Sequence, residues 1–394
     1  MTAAAGLVVV GSGPAGLAAI RSFRERETDA PLMMITNDPS PPYARPPLTK
    51  DFLRGHSTIE DLWLTEPGWF DEQRVGVRLG TAAVALDVER RRVRLGDGSE
   101  VPYEDVVLAT GSTPIPLPVP GGDDPSLVYV RDLGSGHRLR EIAESSGTRV
   151  AVIGSGFIGC EAAASLSMAG IAVVLISDEA LPHAARLGPD AGREIHRWLI
   201  AAGVETRLGV PLADISRRGG GFTLGLGDGH QLDVDHIVGA GGARPDLAVA
   251  ERSGLLVENG GVRVASSMQA SAPHTYAVGD IAFADHAAAG RPLRVEHWGD
   301  AERHGTIAGT IAGGGSASWR EPPGFWSTIG DQTLKYSAWG DGYDEWVTTG
   351  SPDRWTIWYR LGEEICGVLT HNDDDAYEQG QRLLARRAPF SEIH

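Results

Sequence analysis

Two copies of one strand–turn–helix motif constrain this chain more than any other feature of its sequence. The copies read LVVVGSGPAGLAAIRSF over residues 7–23 and VAVIGSGFIGCEAAASL over residues 150–166. Each has three glycines at the same spacing: Gly11, Gly13 and Gly16 in the first copy, and Gly154, Gly156 and Gly159 in the second. The first glycine permits a tight turn, the second lets the backbone approach a pyrophosphate, and the third lets the helix pack closely on the strand. The duplication therefore predicts two doubly wound α/β units, each built to bind a dinucleotide.

An acidic side chain is expected at the end of the second strand of such a unit, where it hydrogen-bonds a ribose. In the first unit the apolar run 32–35 is followed by Asp38, which lies 22 residues after Gly16. In the second unit the run 172–176 is followed by Ser-Asp-Glu at 177–179, and the first arginine downstream is Arg186. Because a 2′-phosphate requires a nearby cation, we expect the second unit to favour NADH over NADPH.

The rest of each half contains hairpin-like segments, and linker-like segments separate the parts. Residues 81–110 alternate apolar and polar side chains around an Asp-Gly turn signal, and residues 204–236 form a similar region in the second half. Residues 111–125 carry prolines at alternate positions, which predicts a stiff, extended crossing. A second linker, rich in Gly, Ser and Pro, is predicted at 313–324.

Composition argues against several other classes of protein. With 35 basic and 52 acidic side chains the formal net charge is −17, which disfavours a general nucleic-acid binder. No apolar run approaches the roughly 18 residues of a membrane-spanning helix, and the first ten residues resemble a strand rather than a signal peptide. Only Cys160 and Cys366 occur, so neither a disulfide framework nor a cysteine-built metal site is expected. These features predict a cytoplasmic protein in a reducing compartment, with no bound metal.

Two dinucleotide-binding units in one chain are most economically explained by FAD and a nicotinamide nucleotide handled together. Six further segments carry a family resemblance: PPYARPPLTKDFLRG (41–55), VVLATGSTP (106–114), VGAGGARPD (238–246), TYAVGDIA (275–282), RVEHWGDAERHG (294–305) and FWSTIGDQTLKY (325–336). With the glycine turns, they make the chain similar to the FAD-dependent NAD(P)H ferredoxin reductases that serve oxygenases, of the putidaredoxin, rubredoxin and biphenyl dioxygenase reductase type. Apoptosis-inducing factor is a more distant relative.

The resemblance implies roles for particular residues of this chain. Those implied to hold FAD are Gly11, Ser12, Gly13, Ala15, Asp38, Arg45, Lys50, Ala109, Thr110, Gly111, Arg131, Asp280 and Trp298. Those implied to line the nicotinamide side are Gly154, Gly156, Phe157, Ile158, Glu161 and Gly242. Lys50 would reach the flavin near N5 and pair with Glu161, so these two are the expected catalytic residues. Lys50 is one of only two lysines in the chain, which sets it apart from an ordinary loop lysine.

The chain lacks both a redox-active cysteine pair and iron–sulfur ligands, and this bears on the implied activity. Disulfide reductases of related fold carry a redox-active cysteine pair in the first unit, and residues 36–55 contain no cysteine. Iron–sulfur ligands are missing as well, so a one-electron carrier has to be a separate protein. The resemblance therefore implies an NADH:ferredoxin oxidoreductase that passes electrons from NADH through FAD to a 2Fe–2S ferredoxin, which supplies an oxygenase.

The expected architecture is glutathione-reductase-like, with two Rossmann-like α/β domains and a C-terminal α+β domain. The FAD-binding domain is predicted at 1–115 and 240–320, with the NAD(P)H-binding domain inserted at 116–239. The C-terminal domain is predicted at 321–394.

Two alternative functions stay open on the sequence. A stand-alone FAD oxidoreductase would reduce a small molecule, such as a quinone or a biosynthetic intermediate, in a pocket walled by C-terminal aromatic residues, His297 and Trp298. A redox-sensing flavoprotein like apoptosis-inducing factor would bind NADH slowly and change its partner surface.

Docking of a typically acidic ferredoxin on a chain of this charge requires a local basic patch. The candidates for that patch are Arg294, Arg303, Arg320 and Lys335.

Overall fold

The computed structural model describes residues 5–393, and its first sheet is built from two separated stretches of chain. The strands are β1 Ala5–Val10, β2 Leu32–Ile35, β3 Val75–Arg78, β4 Ala83–Asp87, β5 Arg92–Leu95, β6 Glu100–Leu108 and, much later, β18 Thr275–Ala277. The parallel part has the order β3-β2-β1-β6-β18, and β5 and β4 continue from β6 as antiparallel strands. The first parallel unit is therefore completed by a strand that follows the second unit in sequence.

The second parallel sheet lies wholly within the middle of the chain. Its strands are β8 Arg149–Ile153, β9 Ala172–Ser177, β10 Glu205–Leu208 and β14 His236–Gly239, in the order β10-β9-β8-β14. An antiparallel meander follows β10 and consists of β11 Leu212–Arg218, β12 Gly221–Leu226 and β13 Gln231–Val234. The hairpins predicted at 81–110 and 204–236 are thus both present.

The chain crosses between the two units twice, and the crossings pair with each other. Strand β7, Ser112–Pro114, runs antiparallel to β15, Ala243–Pro245. Prolines at both crossings keep them extended, as the sequence predicted for the first one. A small sheet after the second crossing contains β16 Val257–Glu258, β17 Gly261–Val264, β19 Ala282–His286 and β20 Arg291–Arg294.

The last part of the chain forms an antiparallel sheet with one helix. Its strands are β21 Gly324–Ile329, β22 Gln332–Ala338, β23 Glu345–Ser351, β24 Arg354–Leu361 and β25 Glu364–His371, in the order β21-β22-β25-β24-β23. The predicted linker before this sheet, residues 313–324, is held in place by a buried side chain. The indole of Trp319 is fully buried there, with its ring 4.5 Å from that of His286 and 4.4 Å from that of His304.

Helices cover the parallel sheets and bring the two halves of the first unit together. They are α1 Pro14–Arg24, α2 Trp69–Glu72, α3 Leu133–Glu144, α4 Phe157–Met168, α5 Ala184–Ala201, α6 Ala248–Arg252, α7 Trp298–Ala312 and α8 Asp374–Ala385. Helix α7 packs on α1 at glycines: a Cβ at Gly305 would lie 2.0 Å from the carbonyl oxygen of Ala15. In the part of the chain that the structure describes, no helix is long and apolar enough to span a bilayer.

Candidate active site

The first glycine turn brings β1, α1 and β6 closer together than a side chain would allow. Gly11 has a φ of +116°, and a Cβ there would lie 2.1 Å from the carbonyl oxygen of Ala109. A Cβ at Gly16 would lie 2.2 Å from the carbonyl oxygen of Gly11. Helix α1 begins at Pro14 without a side-chain cap, so its first N–H groups are available to an anion at the helix start.

A cavity of about 760 Å³ opens in front of this turn, and we refer to it as the first cavity. This volume lies within the roughly 300–1,000 Å³ typical of small-molecule sites. The predicted FAD residues that line it are Gly11, Ser12, Gly13, Ala15, Asp38, Arg45, Ala109, Thr110, Gly111, Arg131, Asp280 and Trp298. Lys50 is the predicted FAD residue outside this lining, and it faces the adjoining cavity described below. The structure thus brings almost the whole predicted set together.

Asp38 is held at the wall of the first cavity by two donors. Its Oδ2 accepts a hydrogen bond from the Tyr43 hydroxyl at 2.8 Å, and its Oδ1 accepts from the Ser40 N–H at 3.0 Å. The Tyr43 hydroxyl in turn accepts from the N–H of Leu133, at the start of α3. Burial of this side chain raises the pKa of Tyr43 to about 12, so the hydroxyl stays a donor to Asp38. The fixed carboxylate has lone pairs left for the hydroxyls of a ribose.

Two arginines supply positive charge to the first cavity. Arg131 Nη2 lies 3.3 Å from Asp280 Oδ2, which also accepts from the Ser112 hydroxyl at 2.7 Å. The Arg45 guanidinium stacks 5.1 Å from the Tyr43 ring, and its buried Nε has no hydrogen-bond partner among residues 5–393. A glycine cradle, free helix N–H groups and an orphaned guanidinium donor fit the pyrophosphate of FAD. The residues present therefore fit this cofactor.

Lys50 and Glu161 form the ion pair that was predicted between the two units. Lys50 Nζ lies 2.5 Å from Glu161 Oε2, and both side chains are largely buried. The same Oε2 accepts from the Thr49 hydroxyl at 2.7 Å, and Oε1 accepts from the Ser327 hydroxyl at 2.7 Å. Thr49 belongs to the first unit, Glu161 to helix α4 and Ser327 to strand β21. One carboxylate thus joins three parts of the molecule at a single point.

A second cavity, of about 740 Å³, adjoins the first between α4, α7 and the C-terminal sheet. The residues that line both cavities are Pro46, Ile158, Glu161, Glu296, His297 and Trp298. Aromatic side chains form much of the remaining wall: Phe157, Phe325, Trp326, Tyr336 and Trp339. The two cavities therefore meet at this shared wall, where a ring bound in each could lie close to the other. Such close placement of two reacting groups is what hydride transfer requires.

Arg186 is the cation of the second cavity that has no carboxylate partner in the described part of the chain. Its guanidinium lies 5.1 Å from the Phe325 ring, and its Nη2 is 3.4 Å from His297 Nε2. The other nitrogen of His297, Nδ1, is 3.0 Å from a carboxylate oxygen of Asp300, which is fully buried and also accepts from Arg303. This contact orients the imidazole so that Nε2 faces Arg186.

The second glycine turn repeats the contacts of the first with a different acid. In the first unit the serine of the glycine turn contacts the threonine after β2, and Asp38 follows two residues later. In the second unit the Ser155 and Ser177 hydroxyls are 2.8 Å apart, and Glu179 follows two residues later. Its Oε2 accepts from the Ser155 hydroxyl at 3.2 Å and from the N–H of His183 at 3.0 Å. The residue that ends strand β9 is Ser177 and not an acid, but the carboxylate of Glu179 still contacts the second glycine turn.

The other predicted residues of the nicotinamide side fall into two groups. Phe157 and Ile158 line the second cavity with Glu161. Gly154, Gly156 and Gly242 line neither cavity and lie at the carboxyl ends of β8 and β14. Gly154 has a φ of +109°, and a Cβ there would lie 2.5 Å from the carbonyl oxygen of Ala240.

The thiol beside Glu161 is not placed for redox chemistry. Cys160 is fully buried and donates to the carbonyl oxygen of Ser155, and burial raises the pKa of its thiol. Burial also raises the pKa of Cys366 to about 12. Both cysteines are free, and the described residues contain no cluster of His, Cys, Asp and Glu that could hold a metal ion.

The expected basic patch for carrier docking is not found as a set of free charges. Three of the four candidates are paired with acids: Arg294 with Glu296 at 2.7 Å, Arg303 with Asp300 at 3.0 Å, and Lys335 with Asp374 at 2.7 Å. The fourth, Arg320, donates to the Ser318 hydroxyl at 3.0 Å.

Several residues of the site were missed by reasoning from sequence. Thr49 and Ser327 complete the shell of Glu161, and each lies inside a segment that carries the family resemblance. Arg186 was considered only for its distance from Ser177, and its place in the second cavity had no sequence signal. Asp300 belongs to a recognised segment, but nothing in that segment indicated that it would contact His297.

Two glycine turns of the dinucleotide-binding type and two adjoining cavities are typical of a flavoprotein oxidoreductase that uses FAD and NAD(P)H. Residues 5–305 match the family model for pyridine nucleotide-disulphide oxidoreductases, and residues 324–393 match the reductase C-terminal model. The chain belongs to the pyridine nucleotide-disulphide oxidoreductase family.

Individual relatives cover nearly the whole chain. It is 32% identical to the ferredoxin–NAD(+) reductase component of the anthranilate 1,2-dioxygenase system of Burkholderia cepacia, over 88% of this chain and 85% of the relative. It is 30% identical to rhodocoxin reductase of Rhodococcus erythropolis, over 98% and 90%. Among solved structures, the covalent putidaredoxin reductase–putidaredoxin complex matches with a TM-score of 0.91 at 28% identity, over 97% of this chain and 93% of that one. The predicted fold class and family resemblance are confirmed.

Proposed function

We propose that this chain is an NADH:ferredoxin oxidoreductase, which passes electrons from NADH through FAD to a separate 2Fe–2S ferredoxin that supplies an oxygenase. The observation that carries the proposal is the shared wall of the two cavities, where Glu161 and Trp298 face both sides. The names of two similar proteins, a dioxygenase-system ferredoxin–NAD(+) reductase component and putidaredoxin reductase, support the choice of carrier.

The residues of the first cavity would hold FAD by its charged and polar ends. The first glycine turn, Arg45 and Arg131 would bind the phosphates, and Asp38 would accept hydrogen bonds from the adenosine ribose. Bound FAD supplies hydride acceptance and the return of electrons one at a time. We assign residues 1–115 and 240–320 to this FAD-binding domain, 116–239 to the NAD(P)H-binding domain, and 321–394 to the C-terminal domain.

Lys50 and Glu161 would act by position and charge at the shared wall. The ammonium of Lys50 is held by Glu161 and by the carbonyl oxygen of Pro46, at 3.0 Å. These two contacts fix the direction of the ammonium at the shared wall. The pair would thus fix the charge beside the flavin ring without serving as a proton donor to it.

Electrons would leave for an external carrier because the chain offers no internal one. Both thiols are buried, and neither has a second cysteine with which to form a disulfide. Two free thiols also suit a reducing compartment, so we propose a cytoplasmic location.

The proposed function is tested by following cytochrome c reduction with NADH, with and without an added 2Fe–2S ferredoxin. We expect rapid reduction that depends on the ferredoxin. Fast reduction of bound flavin by NADH with no ferredoxin dependence, across several carriers, would contradict the proposal. Efficient NADH-dependent reduction of a quinone in the same preparation would then favour the small-molecule alternative, for which the second cavity has room.

We further propose that NADH is preferred over NADPH because of Glu179. Its carboxylate sits at the second glycine turn in the place that Asp38 takes at the first, and would repel a 2′-phosphate. Arg186 does not offset this charge, since its guanidinium stacks on Phe325 in the second cavity. We expect Glu179→Gln to lower the NADH/NADPH ratio of kcat/KM by about tenfold, which corresponds to about 1.4 kcal/mol.

The matched control for Glu179 is Asp178→Asn, because it removes one negative charge at the adjacent, exposed position. We expect this variant to leave the NADH/NADPH ratio within about twofold of the parent value. An equal shift in both variants would show that general surface charge, and not Glu179, sets the preference.

A further inference from the structure

Helix α5 is broken one turn after its start. Gly188 has a φ of +85° and a ψ of 164°, far from helical values, and Pro189 follows it. A proline without an N–H next to a glycine is a sufficient cause of such a break. The turn before the break, residues 184–187, therefore does not continue the axis of the rest of helix α5. It carries Arg186 to the wall of the second cavity.

Three side chains of the C-terminal sheet bind the two sides of this break. The Tyr359 hydroxyl donates to the carbonyl oxygen of Leu187 at 2.7 Å. The Trp346 indole N–H and the Thr348 hydroxyl donate to Asp190 Oδ2 at 3.0 and 2.7 Å. We refer to Trp346, Thr348 and Tyr359 as the clasp. The clasp thus grips the residue just before the break and a residue just after it.

The backbone of this turn is hydrogen-bonded locally, since the N–H groups of Arg186 and Leu187 donate to the carbonyl oxygen of His183. The Arg186 side chain, by contrast, has no carboxylate partner among residues 5–393. Arg186 is exposed, and its guanidinium lies against three rings: Phe325 at 5.1 Å, Tyr336 at 5.8 Å and the imidazole of His297. An arginine without a carboxylate partner is available to an anionic ligand. NADH is anionic, so an arginine without a carboxylate partner on the wall of the cavity that would hold it would raise nucleotide affinity.

We propose that the clasp positions Arg186 for the pyridine nucleotide, so that the C-terminal sheet sets NADH affinity from outside the unit that binds it. This inference rests on the proposed function, because it takes the second cavity as the place where NADH is held. Trp346, Thr348 and Tyr359 are positioning residues and do not line the second cavity themselves. Loss of the bonds to Asp190 would let the 184–187 turn change its angle to the rest of α5, and would leave the shared wall, with Lys50 and Glu161, intact.

The test is the double variant Trp346→Phe/Thr348→Val, which removes the two donors to Asp190 Oδ2 and keeps an aromatic ring and a β-branched side chain at these positions. We expect the KM for NADH and the Kd for NAD+, measured by equilibrium dialysis, to rise about tenfold, while kcat changes less than about twofold. The matched control is Thr349→Val. Thr349 is the next residue of β23, and its hydroxyl bonds the carbonyl oxygen of Thr356 within the sheet.

Three results would overturn the proposal. They are an unchanged Kd for NAD+ in the double variant, an equal rise in Thr349→Val, and a fall in kcat with KM unchanged. Arg186→Ala distinguishes a failure of the clasp from a failure of the proposed nucleotide site. If Arg186→Ala weakens NAD+ binding and the double variant does not, only the clasp is wrong. If Arg186→Ala leaves the Kd unchanged, the proposed nucleotide site is wrong as well.

Discussion

Gly11→Ala is expected to give a protein that no longer retains FAD, whereas Gly154→Ala is expected to retain FAD and lose reduction by NADH. Each glycine sits at a left-handed φ, +116° and +109°, which costs an L side chain about 1–2 kcal/mol. Each added methyl would also meet a carbonyl oxygen, that of Ala109 at 2.1 Å or that of Ala240 at 2.5 Å. Backbone cannot yield by this amount without opening the turn, so we expect losses of more than about 100-fold in nucleotide binding.

The measurement is the FAD-to-protein ratio from visible absorbance, followed by anaerobic reduction with NADH. The controls are Gly98→Ala and Gly229→Ala, whose φ values are +83° and +87° and whose added methyl groups would meet nothing within 4 Å. They carry the strain of a positive φ without the clash, so both should keep FAD and react with NADH. Full FAD content in Gly11→Ala would refute the role assigned to the first turn.

Glu161→Leu is expected to be the most damaging single change at the shared wall. It leaves the largely buried ammonium of Lys50 without its carboxylate and removes the acceptor of the Thr49 and Ser327 hydroxyls. Breaking a buried ion pair by removing one partner costs about 3–5 kcal/mol, because a buried charge is left uncompensated. We expect a lower thermal midpoint, by roughly 5–10 °C, and at least a tenfold loss in NADH-driven flavin reduction.

The double variant Lys50→Met/Glu161→Leu distinguishes stability from reactivity. Removing both charges leaves no unpaired ion, so we expect the thermal midpoint to recover most of the loss. Reduction by NADH should not recover, because the Lys50–Glu161 pair is absent in both variants. If reactivity returned with stability, the pair would serve packing alone.

The two α/β units were predictable because their signals are local. A strand of buried aliphatic residues, three spaced glycines and a helix occupy about 17 consecutive residues in each copy, and every contact that selects the glycines is close in sequence or to a neighbouring strand. The second strand of the first unit, Leu32–Ile35, has the bounds that its apolar run indicates. The Asp38 ribose acceptor follows from the same short pattern.

The shell of Glu161 was less predictable because its donors come from distant positions. Thr49 is 112 residues away from Glu161 and Ser327 is 166 residues away, and a hydroxyl has no pattern that names its acceptor. The pairing of the candidate docking residues was unpredictable for a related reason. Arg294, Arg303 and Lys335 are cations by sequence, and only the folded chain shows that each has a carboxylate beside it.

The class of protein could thus be predicted from local sequence signals. These signals are glycines that tolerate close approach, strand-forming runs and the lack of a cysteine pair, and none of them requires tertiary information. The meeting of the two cavities did require it. Pro46, Glu161 and Trp298 come from three widely separated segments, and they share one wall because strand β18 returns to β6 and helix α7 packs on α1. The broken helix α5 likewise depends on tertiary structure. Gly188-Pro189 permits a kink in the helix, and the clasp of the C-terminal sheet contacts both sides of that kink.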